Sequence, residues 1–132
     1  MYKFSEASKA NLENVHSALQ DVCNLALKLS VIDFGIPSTG GFRTAETQLK
    51  LFNAGKSQLD GVGKVSMHQR GLALDFYAYV DGKASWDKLH LALVANAFMQ
   101  AAARLGFVLT WGGLWRQFPD YPHIQLETSW IR

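Results

Sequence analysis

Two histidines and two aspartates are the side chains whose types and spacing can do chemistry in this sequence. They lie in Ser66-Met67-His68-Gln69-Arg70-Gly71-Leu72-Ala73-Leu74-Asp75 and, far downstream, in Asp120-Tyr121-Pro122-His123. Imidazole nitrogens and carboxylate oxygens are zinc ligands. A catalytic zinc takes three of them and leaves a fourth position to water, whereas a structural zinc is closed by four, usually thiolate-rich, ligands. The only cysteine is Cys23, so a thiolate cage is excluded. Two neutral imidazoles and one carboxylate leave residual positive charge on the ion, which lowers the pKa of its water from about 15.7 to near 7. His68, Asp75 and His123 are therefore the expected ligands of an open site holding one Zn2+ per chain.

A second carboxylate nearby can take the proton that such a water loses. Asp120, held between Pro119 and Pro122, is the candidate general base, later returning the proton to a leaving amine. Amide hydrolysis also creates negative charge on the former carbonyl oxygen, and a guanidinium can stabilise it or grip a substrate carboxylate. Arg43, at a strand-to-helix junction, is the candidate for that role, while Arg70, Arg104, Arg116 and Arg132 read as solvated surface. His16 reads as a helix-surface histidine and His90 as a helical residue outside the site.

The elements that position these residues follow from periodicity. His68 and Asp75 are an odd number of residues apart, so on one uninterrupted strand they would face opposite sides. The backbone must bend between them, and Gly71 is placed to do it. Small Ala73 lets the ligand-bearing segments approach closely. Pro122 restricts the approach to His123 to an extended form. Gln125 shares the His123 face of a strand, where it orients a ligand or lines the pocket.

Leu12, Val15, Leu19, Val22, Ala26 and Leu29 recur at three and four, predicting one helix over residues 8–30, capped by Ser5 or Ser8, with Cys23 as a core thiol. Residues 31–36 read as a strand ended by Pro37, and Ser38-Thr39-Gly40-Gly41 as a turn. Thr44 then caps a helix with Leu49, Leu51 and Phe52 on its apolar side, ended by Asn53-Ala54-Gly55. Residues 56–65, rich in glycine and polar side chains, are expected to be a loop along one edge of the cleft. Residues 73–80 read as one strand carrying Asp75, and Asp81-Gly82 as a hairpin turn. Residues 86–105 read as a helix capped by Ser85, with Leu89, Leu93, Ala97, Met99 and Ala103 inward and Gly106 at its end. Residues 107–111 and 123–126 read as strands. The pattern predicts one α+β domain over residues 1–132, a small, mainly antiparallel sheet flanked by helices, with the cleft where His68, Asp75 and His123 converge.

At 132 residues and 48% hydrophobic, the chain can bury about two thirds of the surface of its unfolded form. Its formal charge of +2 comes from scattered Lys and Arg with no like-charge run, which argues against a nucleic-acid arm. Trp111, Trp115, Phe118 and Tyr121 could stack on bases but lack an interleaved basic ladder, and read as core and cleft wall. A lone cysteine makes no internal disulfide and fits synthesis in a reducing cytosol. Residues 1–10 carry no apolar stretch of signal-peptide length, and no segment approaches the roughly 18 apolar residues of a membrane span.

Three ordered blocks resemble the LAS-type zinc peptidases of the M15 group, which include D-alanyl-D-alanine dipeptidases and carboxypeptidases and phage L-alanyl-D-glutamate endopeptidases. The blocks are Gly41-Phe42-Arg43-Thr44 with Gln48 and Leu51-Phe52, then Ser66-x-His68-x-x-Gly71-x-Ala73-x-Asp75, then Trp111-Gly112-Gly113 through Asp120-x-x-His123. The resemblance implies the LAS/Hedgehog-type peptidase fold, zinc on His68, Asp75 and His123, Asp120 as the catalytic carboxylate, and Arg43 binding or polarising substrate. It also implies that Gln48, Ser66 and Trp111 line the pocket or support those that do.

A short chain with Asp before the last histidine is most similar to the phage endolysin branch. That implies cleavage of the L-alanyl-D-glutamate bond in peptidoglycan stem peptides by a monomer. Such a protein waits in the host cytoplasm until a holin or similar lesion gives it access to the wall. Leu114 departs from the acidic residue that phage relatives often carry after Trp-Gly-Gly. Two alternatives stay open: a D-alanyl-D-alanine carboxypeptidase or dipeptidase, whose pocket holds a free C-terminal carboxylate, and a non-catalytic zinc-containing wall-binding module, against which Asp120 and Arg43 argue.

Overall fold

The structure, a computed structural model, describes residues 1–128. Arg132, expected on the surface, lies outside the described residues. Among the described residues, helices α1 (Glu6–Leu12), α2 (Ser17–Leu29), α3 (Ala45–Asn53) and α4 (Lys88–Leu105) are combined with six short strands. These form two antiparallel sheets of three. One has the order β1 (Asp33–Gly35), β3 (Tyr77–Val80), β4 (Lys83–Ser85), and the other β2 (Ala73–Asp75), β6 (His123–Leu126), β5 (Leu109–Trp111). The α+β class and the antiparallel pairing agree with the sequence expectation, but the single sheet is corrected to two.

The two sheets part inside residues 73–80, expected as one strand. Ala73–Asp75 pairs with β6, whereas Tyr77–Val80 pairs with β1. Between them Phe76 donates its N–H to the Pro122 carbonyl at 2.9 Å. Its fully buried ring packs 6.4 Å from Phe34 and 5.2 Å from Phe98. One aromatic thus fastens both sheets to the same core, directly behind Asp75. Its truncation to alanine would cost about 3–5 kcal/mol, lost burial and cavity together.

The single helix expected over residues 8–30 is two helices. Leu12, Val15, Leu19, Val22 and Ala26 all stay buried across the break, so the apolar period survives while polar side chains claim the backbone. His16, expected on a helix surface, is the N-cap of α2, its Nδ1 accepting from the Ala18 N–H at 3.0 Å. Gln20 Nε2 donates to the carbonyls of Glu13 and Val15 at 3.0 and 2.9 Å. The break makes a shelf for later segments. The His16 N–H donates to the Gly71 carbonyl at 2.8 Å. Gly41 lies so close to the Asn11 carbonyl that a Cβ there would collide with it.

Ser5 caps α1 and Thr44 caps α3, each accepting from a backbone N–H three residues on at 3.1 Å. The expected apolar side of α3 is not a core face: Leu49 and Phe52 are exposed, and the helix buries Gln48 instead. The cap of α4 is Asp87 rather than Ser85. Leu89, Met99 and Ala103, expected inward, are exposed, while Leu91, Val94, Ala95, Ala97, Phe98, Ala101 and Ala102 are buried on the helix that packs against α2. The misjudged face has a physical cause. α4 is apolar most of the way round, so spacing alone admits more than one stripe, and the alanine-rich side packs most closely. Cys23 is the expected core thiol, fully buried. Asp81 and Gly82 turn the β3–β4 hairpin as expected, both at positive φ.

Candidate metal centre

His68 is carried on a 3-10 turn, Met67–Arg70, that Ser66 caps. Ser66 Oγ accepts from the His68 N–H at 3.0 Å, and Gln69 Oε1 accepts from the Ser66 N–H at 2.9 Å. Gly71 closes the turn in the left-handed region at φ 70°, the bend that the odd spacing of His68 and Asp75 requires. Strand β2 then sets Asp75 directly opposite His123 of β6.

Asp75 Oδ1 lies 3.3 Å from His68 Nε2 and 3.2 Å from His123 Nδ1. One donor atom from each of the three residues falls within 4.8 Å of the other two. A tetrahedral ion with bonds of about 2.0–2.2 Å places neighbouring donors roughly 3.3–3.6 Å apart. The donor set therefore fits a single metal ion, and its chemistry, two imidazoles with one carboxylate, suits zinc.

Each candidate imidazole ligand is fixed from behind. His68 Nδ1 is 3.0 Å from the Gly41 carbonyl, and His123 Nε2 is 2.9 Å from Gln125 Oε1. Both acceptors demand an N–H on that far nitrogen, so the neutral imidazoles turn lone pairs on His68 Nε2 and His123 Nδ1 toward Asp75, and only when protonated do these atoms donate to it. Glu127 orients Gln125 in turn. Its Oε1 takes the Thr110 hydroxyl at 2.6 Å and the Gln125 amide at 3.4 Å. A carboxylate only accepts, so the amide must turn its NH2 to Glu127 and its oxygen to His123.

Arg43 stands behind Asp75. Its Nη2 donates to Asp75 Oδ2 at 2.8 Å, its Nε to the Thr39 carbonyl at 2.7 Å and its Nη1 to Gln48 Oε1 at 3.1 Å. Fully buried Gln48 also donates to Ser57 Oγ and to the Leu59 carbonyl, both at 2.8 Å. This ties residues 56–59 to the site.

Burial by itself would raise the Asp75 carboxyl, but hydrogen bonds from His123 and His68, with their charges, outweigh it and hold the group well below the usual carboxylate range. Burial likewise opposes protonation of His123, yet Asp75's hydrogen bond and charge raise its pKa. Asp120 is pushed the other way, upward, by burial and then by the charge of Asp75. Burial lowers the Arg43 pKa against the pull of Asp75 and Asp120, and a guanidinium stays protonated.

Asp120 Oδ2 lies 3.8 Å from His123 Nδ1, with 46% of its side chain exposed. Its backbone is pinned: its N–H donates to the Gly112 carbonyl at 2.9 Å and its carbonyl accepts from the His123 N–H at 3.2 Å.

A cleft of about 720 Å³ opens over these groups. Lys56, Ser57, Gln58 and Leu59 line it, as expected for the loop beginning at residue 56, together with Trp115, Gln117, Phe118 and Pro119 from the segment before Asp120. The Trp115 ring tilts against His123 with centroids 5.2 Å apart.

The structure brings His68, Asp75, His123, Asp120, Arg43, Ser66 and Gln125 together on this cleft. Gln48 sits behind Arg43. Trp111 holds the Asp120 segment, its Nε1 donating to the Tyr121 carbonyl at 2.8 Å. Leu114 is 74% exposed and is not among the residues lining the cleft. His90 pairs with Ser85 Oγ at 2.7 Å, outside the site. Sequence reasoning missed Thr39 and Gly41, whose contributions are backbone carbonyls and leave no side-chain signal. It also missed Glu127, which could have been found on the face shared by His123 and Gln125.

The sequence profile of the phage L-alanyl-D-glutamate peptidase family matches residues 1–129. The chain belongs to this family. Among relatives of this phage L-alanyl-D-glutamate peptidase family member, the L-alanyl-D-glutamate peptidase of Escherichia phage T5 is 37% identical over 121 residues, 91% of this chain and 86% of that one. The peptidoglycan L-alanyl-D-glutamate endopeptidase CwlK of Bacillus subtilis (strain 168) is 32% identical over 114 residues, 76% of this chain and 67% of that one. The crystal structure of the Serratia marcescens L-Ala D-Glu endopeptidase ChiX matches with a TM-score of 0.83 at 34% identity, covering 96% of this chain and 91% of that one. Among the described residues, no helix of this family member is long and apolar enough to cross a membrane.

Proposed function

We propose that this chain is a zinc-dependent peptidoglycan peptidase, an endolysin that hydrolyses the L-alanyl-D-glutamate bond of stem peptides within one peptidase domain spanning residues 1–132. The observation that carries the reading is the convergence of three metal donors, 3.2 and 3.3 Å apart about Asp75 Oδ1, beside a second carboxylate with a raised pKa.

His68 through Nε2, His123 through Nδ1 and Asp75 through Oδ1 would hold one zinc ion. The chemistry an ion held there would supply is polarisation of the scissile carbonyl and deprotonation of a water in the neutral range. Asp120, 3.8 Å from His123 Nδ1 on the cleft, would take the proton of the attacking water as its oxygen bonds to the carbonyl carbon, and return it to the amide nitrogen as the C–N bond breaks. Arg43 fixes Asp75 by its Oδ2, leaving Oδ1 as the donor, and its remaining N–H groups are available to a substrate oxygen on the cleft side. Ser66 holds the His68 turn, and Gly41 and Gln125 set the imidazole tautomers. Gln48 braces Arg43, Trp111 braces the Asp120 segment, and Trp115 covers one side of His123.

The partner is bacterial peptidoglycan rather than nucleic acid. The protein acts as a monomer without stable membrane insertion, and leaves the host cytoplasm through a holin-type lesion. Digestion of purified peptidoglycan by the zinc-loaded protein, followed by mass spectrometry, tests this. New N-terminal D-glutamate is expected. Released D-alanine would instead assign a D-alanyl-D-alanine peptidase, and an uncut wall with bound protein would assign a wall-binding module.

A further inference from the structure

Among the described residues, the cleft holds one charge that the mechanism above does not use. Its lysine and arginine side chains are Arg43 and Lys56, and its carboxylates are Asp75 and Asp120. Both carboxylates belong to the hydrolytic centre. Arg43 is held by Asp75, Gln48 and Thr39, and its remaining N–H groups are already assigned above to a substrate oxygen. Lys56 makes no side-chain hydrogen bond or ion pair with any described residue.

Its mounting is firm although its side chain is exposed. Gly55, at φ 75°, ends α3, and the Lys56 N–H donates to the Leu51 carbonyl at 2.8 Å. The next residues, Ser57 and Leu59, are tied to buried Gln48 at 2.8 Å each. A fixed backbone bearing a flexible four-carbon stem keeps an ammonium at the cleft while letting it reach a ligand.

Glutamate has two carboxyl groups, and a chain running through it uses only one. The other remains as a free negative charge a few bonds from the nitrogen of an L-alanyl-D-glutamate amide. Such a substrate enters a cleft already holding two carboxylates, and like charges repel unless a cation intervenes. We propose that Lys56 is a specificity-determining residue that pairs with the free carboxylate of the D-glutamate on the leaving side of the scissile bond. This deepens the peptidase reading and rests on it.

Two soluble stem peptides test it, identical except that the free D-glutamate carboxylate is replaced in one by a carboxamide. The zinc-loaded wild-type protein is expected to favour the carboxylate peptide by about tenfold to a hundredfold in kcat/KM, mainly through KM, as one charge-assisted hydrogen bond would give. Lys56→Met is expected to erase that preference by losing only on the carboxylate peptide, and Lys56→Arg to keep most of it, with thermal midpoints unchanged in both. A preference that survives Lys56→Met, an equal loss on both peptides, or no preference in the wild type would overturn the assignment. If the wild type cuts neither peptide, the peptidase reading falls and this inference falls with it.

Discussion

The floor of the cleft and its outer lip treat a carboxylate in opposite ways. Asp75, on a strand and only 20% exposed, is surrounded by two imidazoles and a guanidinium, which hold it ionised far into acid. Asp120, on the segment leading into β6 and 46% exposed, has its nearest imidazole nitrogen at 3.8 Å and is driven toward protonation by burial and by Asp75 itself. The same side chain is thus held ionised in one place and driven toward protonation in the other. Surroundings rather than residue type divide the two tasks proposed for them, metal ligand and base.

The sharpest way to break that division is to remove one member from each region. His68→Ala is expected to lose zinc and activity together, with zinc affinity falling by more than the roughly hundredfold that loss of an outer partner can cost. Asp120→Ala is expected to keep zinc content and thermal midpoint while kcat falls about 10²–10⁴-fold, the usual contribution of a positioned acid–base group. Zinc analysis beside turnover checks both, and equal zinc loss in the two variants would erase the distinction.

A smaller effect sharpens the floor of the cleft. Gln125→Leu removes the acceptor that fixes the His123 tautomer, and zinc affinity is expected to fall about 10–100-fold in competition with a chelator. Glu127→Gln, which still accepts hydrogen bonds but without charge, is expected to lie between that variant and the wild type.

The gentlest test is pH. A carboxylate with a lowered native pKa contributes stability above its unfolded value of about 3.9, lost as pH falls through the native one, so Asp75 protects the acid side. A histidine with a raised native pKa contributes stability below its unfolded value of about 6.5, lost as pH rises through the native one, so His123 helps only until that point. The metal-free protein is therefore expected to lose a few degrees of thermal midpoint as pH rises past neutrality, read by calorimetry with chelator present. In the loaded protein, activity is expected to fall in acid as Asp120 and the imidazoles protonate, because ligands bind metal only when deprotonated. A profile flat down to about pH 4 would contradict this.

The donors were legible because their chemistry is carried by side-chain type and spacing. The seven-residue step from His68 to Asp75 demanded a bend, and Gly71 supplies it at positive φ. The antiparallel α+β character also follows from local signals. What escaped was decided by competition or by distance. At His16 a capping nitrogen defeats an apolar period that otherwise runs on without a fault. At Phe76 the chain changes sheets because its ring belongs to a core assembled from residues far away in sequence. On α4 the buried stripe is selected by the helix it meets. Arg43 was readable as a site residue, but its embrace of Asp75 was not, since that needs Thr39 and Gln48 in place.

The central claim is the ligand set itself, and X-ray absorption at the zinc edge of the loaded protein tests it most directly. Four light ligands at about 2.0–2.2 Å are predicted, two of them imidazoles, with the same ligand set in Asp120→Ala. A sulfur shell near 2.3 Å, a single imidazole, or a ligand lost with Asp120 would contradict it.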